Sequence, residues 1–315
     1  MARACVVFSP AAGNAVAAPV LEQRLRPLIA AGWQVQLVEA NDPGEASRLS
    51  REAVQAGAEM VVAAGGDGTL NEVLQPLVGT KVVLGVLPLG TVNVWARQVA
   101  IPTDLPGAVR VLLEGRVRQV DVGQAGQRFF LLMAGIGFDA EVTRHIRPQA
   151  KRRLGILAYI VAGVAVALSY VGRRVELNAD GVRRGYRALL VVIGNSRRYG
   201  GPVNVTTQAR LDDGLLDVCV FKGTGPLRAA WHVFLVLLGR HVHDPGVDYF
   251  QARRLTVSGD SPLPVQVDGD TMGETPMAFQ VRPRGLNVLL PTGVSADLFA
   301  EQPAEPTSTT VRGGR

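Results

Sequence analysis

The stretch Gly65–Val73, GGDGTLNEV, places an aspartate between glycines directly after the short apolar run Met60–Ala64. The run has the β-branched content of a buried strand, and the residues after Thr69 have the apolar spacing of a helix. Backbone N–H groups in such a turn attract anions, phosphate above all. Asp67 would repel phosphate, but it could hold a Mg²⁺ ion or accept a proton. A tight connection in which Asp67 only caps the helix is the alternative, and the motif alone leaves both open.

The elements before about residue 120 must hold this turn in place. Strand-like and helix-like stretches alternate there, which predicts βαβ units and a parallel sheet. The loops SPAAGN, GGDG and LPLGTVN each follow a predicted strand. Ligands of parallel sheets bind beyond the carboxyl ends of the strands, so the three loops could meet there around one ligand.

After about Gln119 the pattern changes to short strands separated by turn residues, with a hairpin signal at Asp180-Gly181. This favours a mainly antiparallel β-sandwich. We predict an α/β domain over residues 1–125, a β-rich domain over 126–291 and a disordered tail over 303–315. The segment of about 292–302 is expected to pack back on the first domain.

Composition limits the partners. The chain of 315 residues is 47% hydrophobic, carries a net charge of +6 and has a pI of about 9.8, which fits an anionic partner. Aromatic residues make up only 5% and are not interleaved with basic ones, so no nucleic-acid partner is expected. Cys5 and Cys219 lie in apolar strand-like runs, which indicates buried free thiols and a reducing compartment.

Two apolar segments bear on membranes. Leu154–Gly172 contains no charge and is flanked by basic residues, so it is a membrane span, a core helix or a surface helix on lipid headgroups. A span would place the glycine turn and the later acidic motifs in different compartments, so we favour the core or surface helix. The run Trp231–Leu238 is most simply a core helix, with contact to a bilayer as the alternative. We interpret His241 and His243 as part of a solvated loop.

Five motifs together resemble the diacylglycerol kinase catalytic family, in its bacterial lipid kinase branch, which is related to sphingosine and ceramide kinases. The resemblance covers roughly residues 4–299. GGDGT alone is shared with NAD kinases and, more distantly, with phosphofructokinases, whereas the set of five is specific. The motifs are GGDGTLNEV at 65–73, LPLGTVNVWA at 87–96, AGIGFDAEV at 134–142, DDGLLDV at 212–218 and QVDGD at 266–270.

The resemblance implies an N-terminal domain like that of NAD kinase and phosphofructokinase, which binds ATP, and a C-terminal lipid-substrate domain. It implies a phosphate-binding loop over Gly65–Glu72, a second nucleotide contact at Thr91, a turn ordered by Asn93 and a contact from Ser9. The implied nucleotide site therefore consists of Ser9, Gly65, Gly66, Asp67, Gly68, Thr69, Leu70, Asn71, Glu72, Thr91 and Asn93.

The resemblance also implies the catalytic and metal groups. Asp67 would belong to an acidic network that positions Mg²⁺, and Asp213 would bind Mg²⁺ with the carbonyl groups of Arg210 and Leu215. The general base would be Asp268 or Asp270, and the choice stays open. Where the family usually has glutamate, this chain has Asp270, which is one methylene shorter.

The expected function is an ATP- and Mg²⁺-dependent lipid kinase of phospholipid metabolism, with diacylglycerol or a sphingoid-type alcohol as acceptor. The expected location is cytoplasmic and peripheral, on the inner face of the membrane, with a homodimer left open. An NAD kinase-like phosphotransferase is one alternative. A catalytically weak, nucleotide-binding membrane adaptor is another, motivated by the departures from the family pattern at Ser9, Ala40 and Asp270.

Overall fold

The computed structural model describes residues 2–13, 16–137, 172–200 and 203–300. The chain forms two compact units. Unit 1 consists of Met1–Val122 and Pro283–Arg315, and unit 2 consists of Gly123–Arg282. We describe each unit by itself.

Unit 1 is built on a parallel sheet. Its strands lie in the order β2-β1-β3-β4, and the end of a late strand, β17, adds to β4 in parallel. β3 is buried along its whole length, as expected of a central parallel strand that is covered on both faces. The strands are β1 Arg3–Phe8, β2 Gln34–Glu39, β3 Met60–Gly65, β4 Val83–Pro88, β5 Arg116–Ala125 and β17 Met277–Leu290, of which the last two extend into unit 2.

The helices of unit 1 connect these strands. In the first helix Leu21, Leu25 and Leu28 are buried, which is the i, i+4, i+7 spacing of a single apolar face. In the last one the Asp104 carboxylate caps the first turn by accepting a hydrogen bond from Gly107 N at 2.8 Å. The helices are α1 Ala18–Ala30, α2 Glu45–Gln55, α3 Asp67–Leu74, α4 Val94–Gln98 and α5 Leu105–Glu114, and a 3-10 turn lies at Ala296–Leu298.

Unit 2 is an antiparallel sheet system. Its main strand order is β16-β15-β7-β9-β8-β14-β17, and β12 pairs with both β9 and β13. In the part of unit 2 that the structure describes, helix α6 spans Pro226–Leu237, and a 3-10 turn follows at His241–His243. The further strands are β6 Arg128–Phe130, β7 Met133–Gly137, β8 Arg173–Ala179, β9 Val182–Gly194, β10 Arg198–Gly200, β11 Val203–Asn204, β12 Leu216–Lys222, β13 Val247–Ala252, β14 Arg254–Gly259, β15 Pro264–Val267 and β16 Asp270–Glu274.

The parallel and antiparallel units confirm the predicted fold class. The predicted hairpin is also confirmed: Asp180 and Gly181 join β8 to β9, and both have positive φ, 46° and 89°. A two-residue turn with positive φ at both positions matches the right-handed twist of the flanking strands. The core of unit 2 is apolar and includes Phe130, Ile193 and Phe279.

Both cysteines are buried and free, as predicted. Burial raises the pKa of the Cys5 thiol to about 11 and that of the Cys219 thiol well above its usual range. Across the described residues, no helix has the length and apolar character needed to cross a membrane. The predicted apolar segment Leu154–Gly172 lies, apart from Gly172, outside those residues.

Candidate active site

Asp67 of the glycine turn fastens two loops of unit 1 together. The turn follows β3, and α3 begins at Asp67 itself. The Asp67 carboxylate accepts hydrogen bonds from Val94 N at 2.9 Å and Trp95 N at 3.2 Å. These are first-turn N–H groups of α4, which have no partner within their own helix. Asp67 therefore caps α4, whereas the simpler interpretation expected it to cap the helix that it begins, α3.

Asn93 shapes the loop after β4. Its Oδ1 accepts from Gly90 N at 3.0 Å, and its Nδ2 donates to Gly90 O at 2.7 Å. The residue is buried and holds a left-handed backbone with φ of 51°, a conformation that asparagine adopts more readily than most residues. Asn93 thus orders this turn, as predicted.

The loops after β1, β3 and β4 are in contact. Ser9 N donates to Ala64 O at 3.0 Å, and Leu89 N donates to Gly65 O at 2.9 Å. A Cβ on Gly90 would lie 2.6 Å from the Cα of Gly66, so the two backbones approach as closely as glycine permits. The predicted convergence of three loops at the carboxyl edge of the parallel sheet is therefore present in unit 1.

The other residues of the predicted nucleotide site differ in exposure. Gly68 and Thr91 are exposed, and Gly66 and Thr69 are half-buried. Leu70 and Asn71 are buried. The Glu72 carboxylate accepts from Gly44 N, before α2, at 3.0 Å and so supports a neighbouring helix terminus.

Asp268 of unit 2 has the same kind of role as Asp67. Its carboxylate accepts three backbone hydrogen bonds, from Leu131 N at 3.1 Å, Leu132 N at 3.0 Å and Met133 N at 2.9 Å. Its own N–H donates to Met133 O at 2.9 Å. Both carboxylate oxygens are therefore used to hold the segment that leads into β7.

Asp270 differs from Asp268 in its exposure and in its hydrogen bonding. It is exposed and follows the turn Asp268–Gly269, both residues of which have positive φ. Gly269 N donates to Gln266 Oε1 at 2.7 Å, which fixes the turn further. Within the described ranges, no hydrogen bond or ion pair engages the Asp270 carboxylate. The turn thus presents an exposed carboxylate that holds no described part of the fold in place.

The predicted metal loop is a compact acidic turn. Asp213 Oδ1 accepts from Leu215 N at 3.0 Å. Burial raises the pKa of Asp213, and the charge of Asp212 raises it further. A half-buried carboxylate beside a second one is stabilised by a nearby cation, so these residues fit a divalent ion. Arg210 is exposed and Leu215 half-buried. Among the residues with described positions, no group of three or more His, Cys, Asp or Glu side chains forms a metal cluster.

Asp217 lies close to the same loop and is buried. It accepts from Tyr249 Oη at 2.6 Å, and Gln251 Nε2 lies at 3.3 Å. Burial raises the pKa of Asp217 to about 6. The Tyr249 hydroxyl in turn accepts from Gln208 N at 3.1 Å. This network joins the acidic loop to strand β13.

The expectation for His241 was wrong. The side chain is fully buried, its ring stacks on Phe221, and its Nε2 lies 2.8 Å from Val205 O. Only His243 is exposed. No pattern in the sequence around His241 and His243 distinguishes the buried residue from the exposed one.

Comparison with known proteins places the chain in a family. The diacylglycerol kinase catalytic domain matches residues 3–125, and the YegS C-terminal NAD kinase beta sandwich-like domain matches residues 133–290. The chain belongs to the diacylglycerol kinase catalytic-domain family. It is therefore a kinase of the lipid kinase class, as predicted.

Relatives of the same length support this assignment. The chain is 29% identical over 302 residues to the diacylglycerol kinase of Staphylococcus carnosus, covering 95% of this chain and 99% of the relative. It is 29% identical to that of Bacillus subtilis over 294 residues, 92% and 97% of the two chains. A diacylglycerol kinase crystal structure from Bacillus anthracis str. Sterne matches with a TM-score of 0.74 at 22% identity, covering 92% and 97%, and so supports the fold alone.

Proposed function

We propose that this kinase transfers the γ-phosphate of ATP to the hydroxyl group of a diacylglycerol-type lipid, with Mg²⁺. The observation that carries the proposal is the exposed carboxylate of Asp270 on a turn whose other aspartate is fully engaged in folding. The names of the relatives support diacylglycerol as acceptor. ATP is cytoplasmic and the acceptor lies in a membrane, so the proposed place of action is the inner membrane face.

Unit 1 is proposed to bind the nucleotide. Its three joined loops offer backbone N–H groups around Gly66, Gly68 and Thr91, the donors that suit phosphate oxygens. Such donors are fixed before the reaction begins, so they stabilise developing charge without a cost of reorganisation. Asp67 holds two of these loops together through its hydrogen bonds to Val94 N and Trp95 N.

The Arg210–Leu215 loop is proposed to hold Mg²⁺. The Asp213 carboxylate and the carbonyl groups of Arg210 and Leu215 would bind it, with waters completing six ligands. When bound, Mg²⁺ supplies positive charge that offsets negative charge in phosphoryl transfer. Burial raises the pKa of Asp213, and a cation bound beside the carboxylate would offset that effect by stabilising its charged form.

Of the two candidates that the sequence left open, Asp270 is proposed to be the general base. The lipid oxygen attacks the γ-phosphorus, its proton passes to the Asp270 carboxylate, and the bond from the γ-phosphorus to the bridging oxygen breaks to release ADP. Asp268 is less suited, because three backbone N–H groups already occupy its oxygens. Transfer depends otherwise on positioning and charge neutralisation.

The proposed reaction is tested by identifying which acceptor receives the phosphate. Purified protein is incubated with γ-labelled ATP, Mg²⁺ and either dispersed diacylglycerol, sphingosine, ceramide or NAD. Label in diacylglycerol, lost when EDTA is added, is the expected result. Label in a sphingoid lipid would change the acceptor, label in NAD would support the NAD kinase-like alternative, and no label in any acceptor would support the adaptor.

The role of Asp67 is tested by Asp67→Asn. The substitution removes the charge at the α4 terminus and one acceptor, so the two loops separate slightly. A displacement of about 1 Å in a reacting site costs roughly 100-fold in rate, and we expect that loss in kcat/KM for ATP. The matched control is Asp104→Asn, which alters the aspartate cap of α5 away from the glycine loops. Equal kcat/KM values in the two variants would contradict this role.

A further inference from the structure

Helix α6 of unit 2 is apolar on two faces. Its inner face buries Ala229, His232 and Leu235. A helix with a single apolar face would carry polar residues on the other side. Here the outer side exposes large apolar side chains instead, with Leu227 88% and Leu237 68% exposed. This outer face consists of Leu227, Trp231, Val233, Phe234, Leu237 and Leu238.

Exposed apolar side chains are concentrated on this helix. The other large exposed hydrophobic residues of the described ranges are Val20, Ile29, Leu113 and Val182. They are scattered over three other elements, which is ordinary for a protein surface. A contiguous apolar patch is not ordinary and marks a surface that contacts a partner.

The outer face carries no charge. Arg228 is the single charged residue of Pro226–Gly239, and its guanidinium donates to Asp244 Oδ1 at 2.9 Å. Trp231 Nε1 donates to Asp244 Oδ2 at 2.9 Å. Asp244 thus accepts hydrogen bonds from both the Arg228 and the Trp231 side chains at the edge of the helix. Trp231 as a whole is 44% exposed, and its ring packs against that of Phe234 with centroids 5.7 Å apart.

Basic residues lie near the two ends of α6. Arg240 is exposed directly after the helix. Before the helix, Lys222 ends β12 opposite Ala188 of β9, and Arg173 of β8 is opposite the same residue. Arg187 is the neighbour of Ala188, and Gly223 N donates to its carbonyl at 2.8 Å. Arg173 and Arg187 are exposed, so positive charge lies at both ends of the helix.

We propose that the outer face of α6 docks unit 2 on a bilayer that contains anionic phospholipid. Apolar side chains with a tryptophan enter the interface, and the basic residues near the helix ends meet lipid phosphates, as in interfacial amphipathic helices. A second copy of the chain fits less well, because a symmetric pairing of two α6 faces would bring their basic residues together. Docking through α6 would bring the proposed kinase to its lipid substrate. The observations that support docking do not depend on the proposed function.

Trp231 supplies a direct probe. The other tryptophans, Trp33 and Trp95, are buried, so a change in emission on membrane contact reports Trp231. We expect a blue shift with vesicles of 30 mol% phosphatidylglycerol in phosphatidylcholine, quenching by dibrominated lipid, and a smaller response in 0.5 M NaCl. Trp231→Phe should abolish the shift.

The variant that tests the face is Leu227→Gln/Phe234→Gln/Leu237→Gln. Its substitutions lie on the exposed side, so its thermal unfolding should match the wild type while its affinity for the anionic vesicles falls at least tenfold. Ile29→Gln and Val182→Gln are matched controls at residues that are 54% and 56% exposed, and both should bind like the wild type. Arg240→Gln should weaken binding about fivefold, since a basic residue near an anionic surface contributes about 1 kcal/mol.

Several outcomes would overturn the inference. Vesicle binding that is unchanged in the triple variant would do so. So would a Trp231 that is shielded from acrylamide without vesicles, which would mean that another part of the chain covers α6. A dimer that the triple variant converts to a monomer would assign the face to a second copy.

An activity assay separates this inference from the proposed function. The triple variant should phosphorylate diacylglycerol at the wild-type rate in detergent micelles and at a reduced rate in vesicles. Vesicle binding through α6 without phosphate transfer would overturn the proposed function alone. Transfer in vesicles that is unaffected by the triple variant would overturn the inference alone.

Discussion

Two hairpin turns of unit 2 have nearly the same backbone but are followed by different residues. In Asp180–Gly181 the φ angles are 46° and 89°, and in Asp268–Gly269 they are 47° and 88°. Each turn joins two antiparallel strands through two residues. The next residue is Val182 in the first hairpin and Asp270 in the second.

The aspartates of the two turns also act alike. Asp180 accepts from Arg253 N and Arg254 N, both at 2.9 Å, as Asp268 accepts from the segment before β7. Folding therefore explains the Asp-Gly pair in both hairpins. It does not explain Asp270, and the difference between the two regions isolates that carboxylate as the candidate for chemistry.

The largest expected effect is on catalysis by Asp270→Asn. Removal of a general base costs about 10²–10⁴-fold in rate, and we expect a loss of kcat in that range. Val182→Asn changes the matching residue of the other hairpin and should leave kcat unchanged. Steady-state transfer to dispersed diacylglycerol measures both variants. Similar kcat values in the two would remove the distinction between the hairpins.

The next effect is on stability, in Asp268→Asn. Asparagine tolerates the left-handed backbone but turns one acceptor into a donor that faces backbone N–H groups. Hydrogen bonds to a charged group contribute about 1.5–3 kcal/mol each, so the free energy of unfolding should fall by about 2–4 kcal/mol. The exposed equivalent, Asp180→Asn, should lose less. Urea unfolding measures both, and a larger loss in Asp180→Asn would contradict the comparison.

Substitution of the turn glycines provides a further comparison of the two hairpins. Gly269→Ala and Gly181→Ala both force a side chain into positive φ, which costs about 1–2 kcal/mol in each turn. Their stabilities should therefore fall together, while only Gly269→Ala displaces Asp270 and lowers kcat. If Gly181→Ala lowered kcat by as much, the loss would reflect unit 2 as a whole.

The smallest expected effect is a pH dependence of the free energy of unfolding that arises from two buried histidines. His232 Nε2 lies 2.8 Å from Lys222 O, and His241 is bound in the same way to Val205 O. Burial lowers the pKa of both side chains below 6.5. Their neutral forms stabilise the fold fully above pH 6.5, and this contribution is lost as the pH falls towards and through the lowered pKa values, because the unfolded chain takes up protons first.

This prediction is tested by comparing how the free energy of unfolding of two proteins changes with pH. The free energy of unfolding of the wild type should fall more between pH 7.5 and pH 5.5 than that of His232→Gln. Burial of Asp217, with its pKa raised to about 6, acts in the opposite direction in both proteins and cancels. An equal pH dependence would show that His232 contributes nothing. The charged and titratable groups that face the two histidines are Arg228, Asp244 and His243.

Much of the fold could be predicted from the sequence because its signals are local. Alternating strands and helices indicated the parallel sheet of unit 1, and Asp180-Gly181 indicated the β8–β9 hairpin of unit 2. The partners of Asp67 and Asp268 could not be predicted in this way. They lie 27 and 135 or more residues away along the chain, where no local pattern connects them.

Which residues are buried was the second property of the fold that the sequence did not determine. Sequence favoured a solvated loop for His241 and a core helix for Trp231–Leu238, whereas His241 is buried and α6 exposes one apolar face. An apolar run shows that a helix avoids water, but it does not show whether protein or lipid covers each side. The polarity of single residues likewise does not fix which ones the fold encloses.

The central claim is that Asp270 accepts the proton while the nucleotide is bound by unit 1. It is tested most directly by two measurements on the same Asp270→Asn preparation: affinity for a non-hydrolysable ATP analogue and the single-turnover rate of phosphate transfer to diacylglycerol. We predict an affinity within about twofold of the wild type and a transfer rate reduced at least 100-fold. Transfer at the wild-type rate, or a loss of nucleotide affinity that accounts for the slower transfer, would contradict the claim.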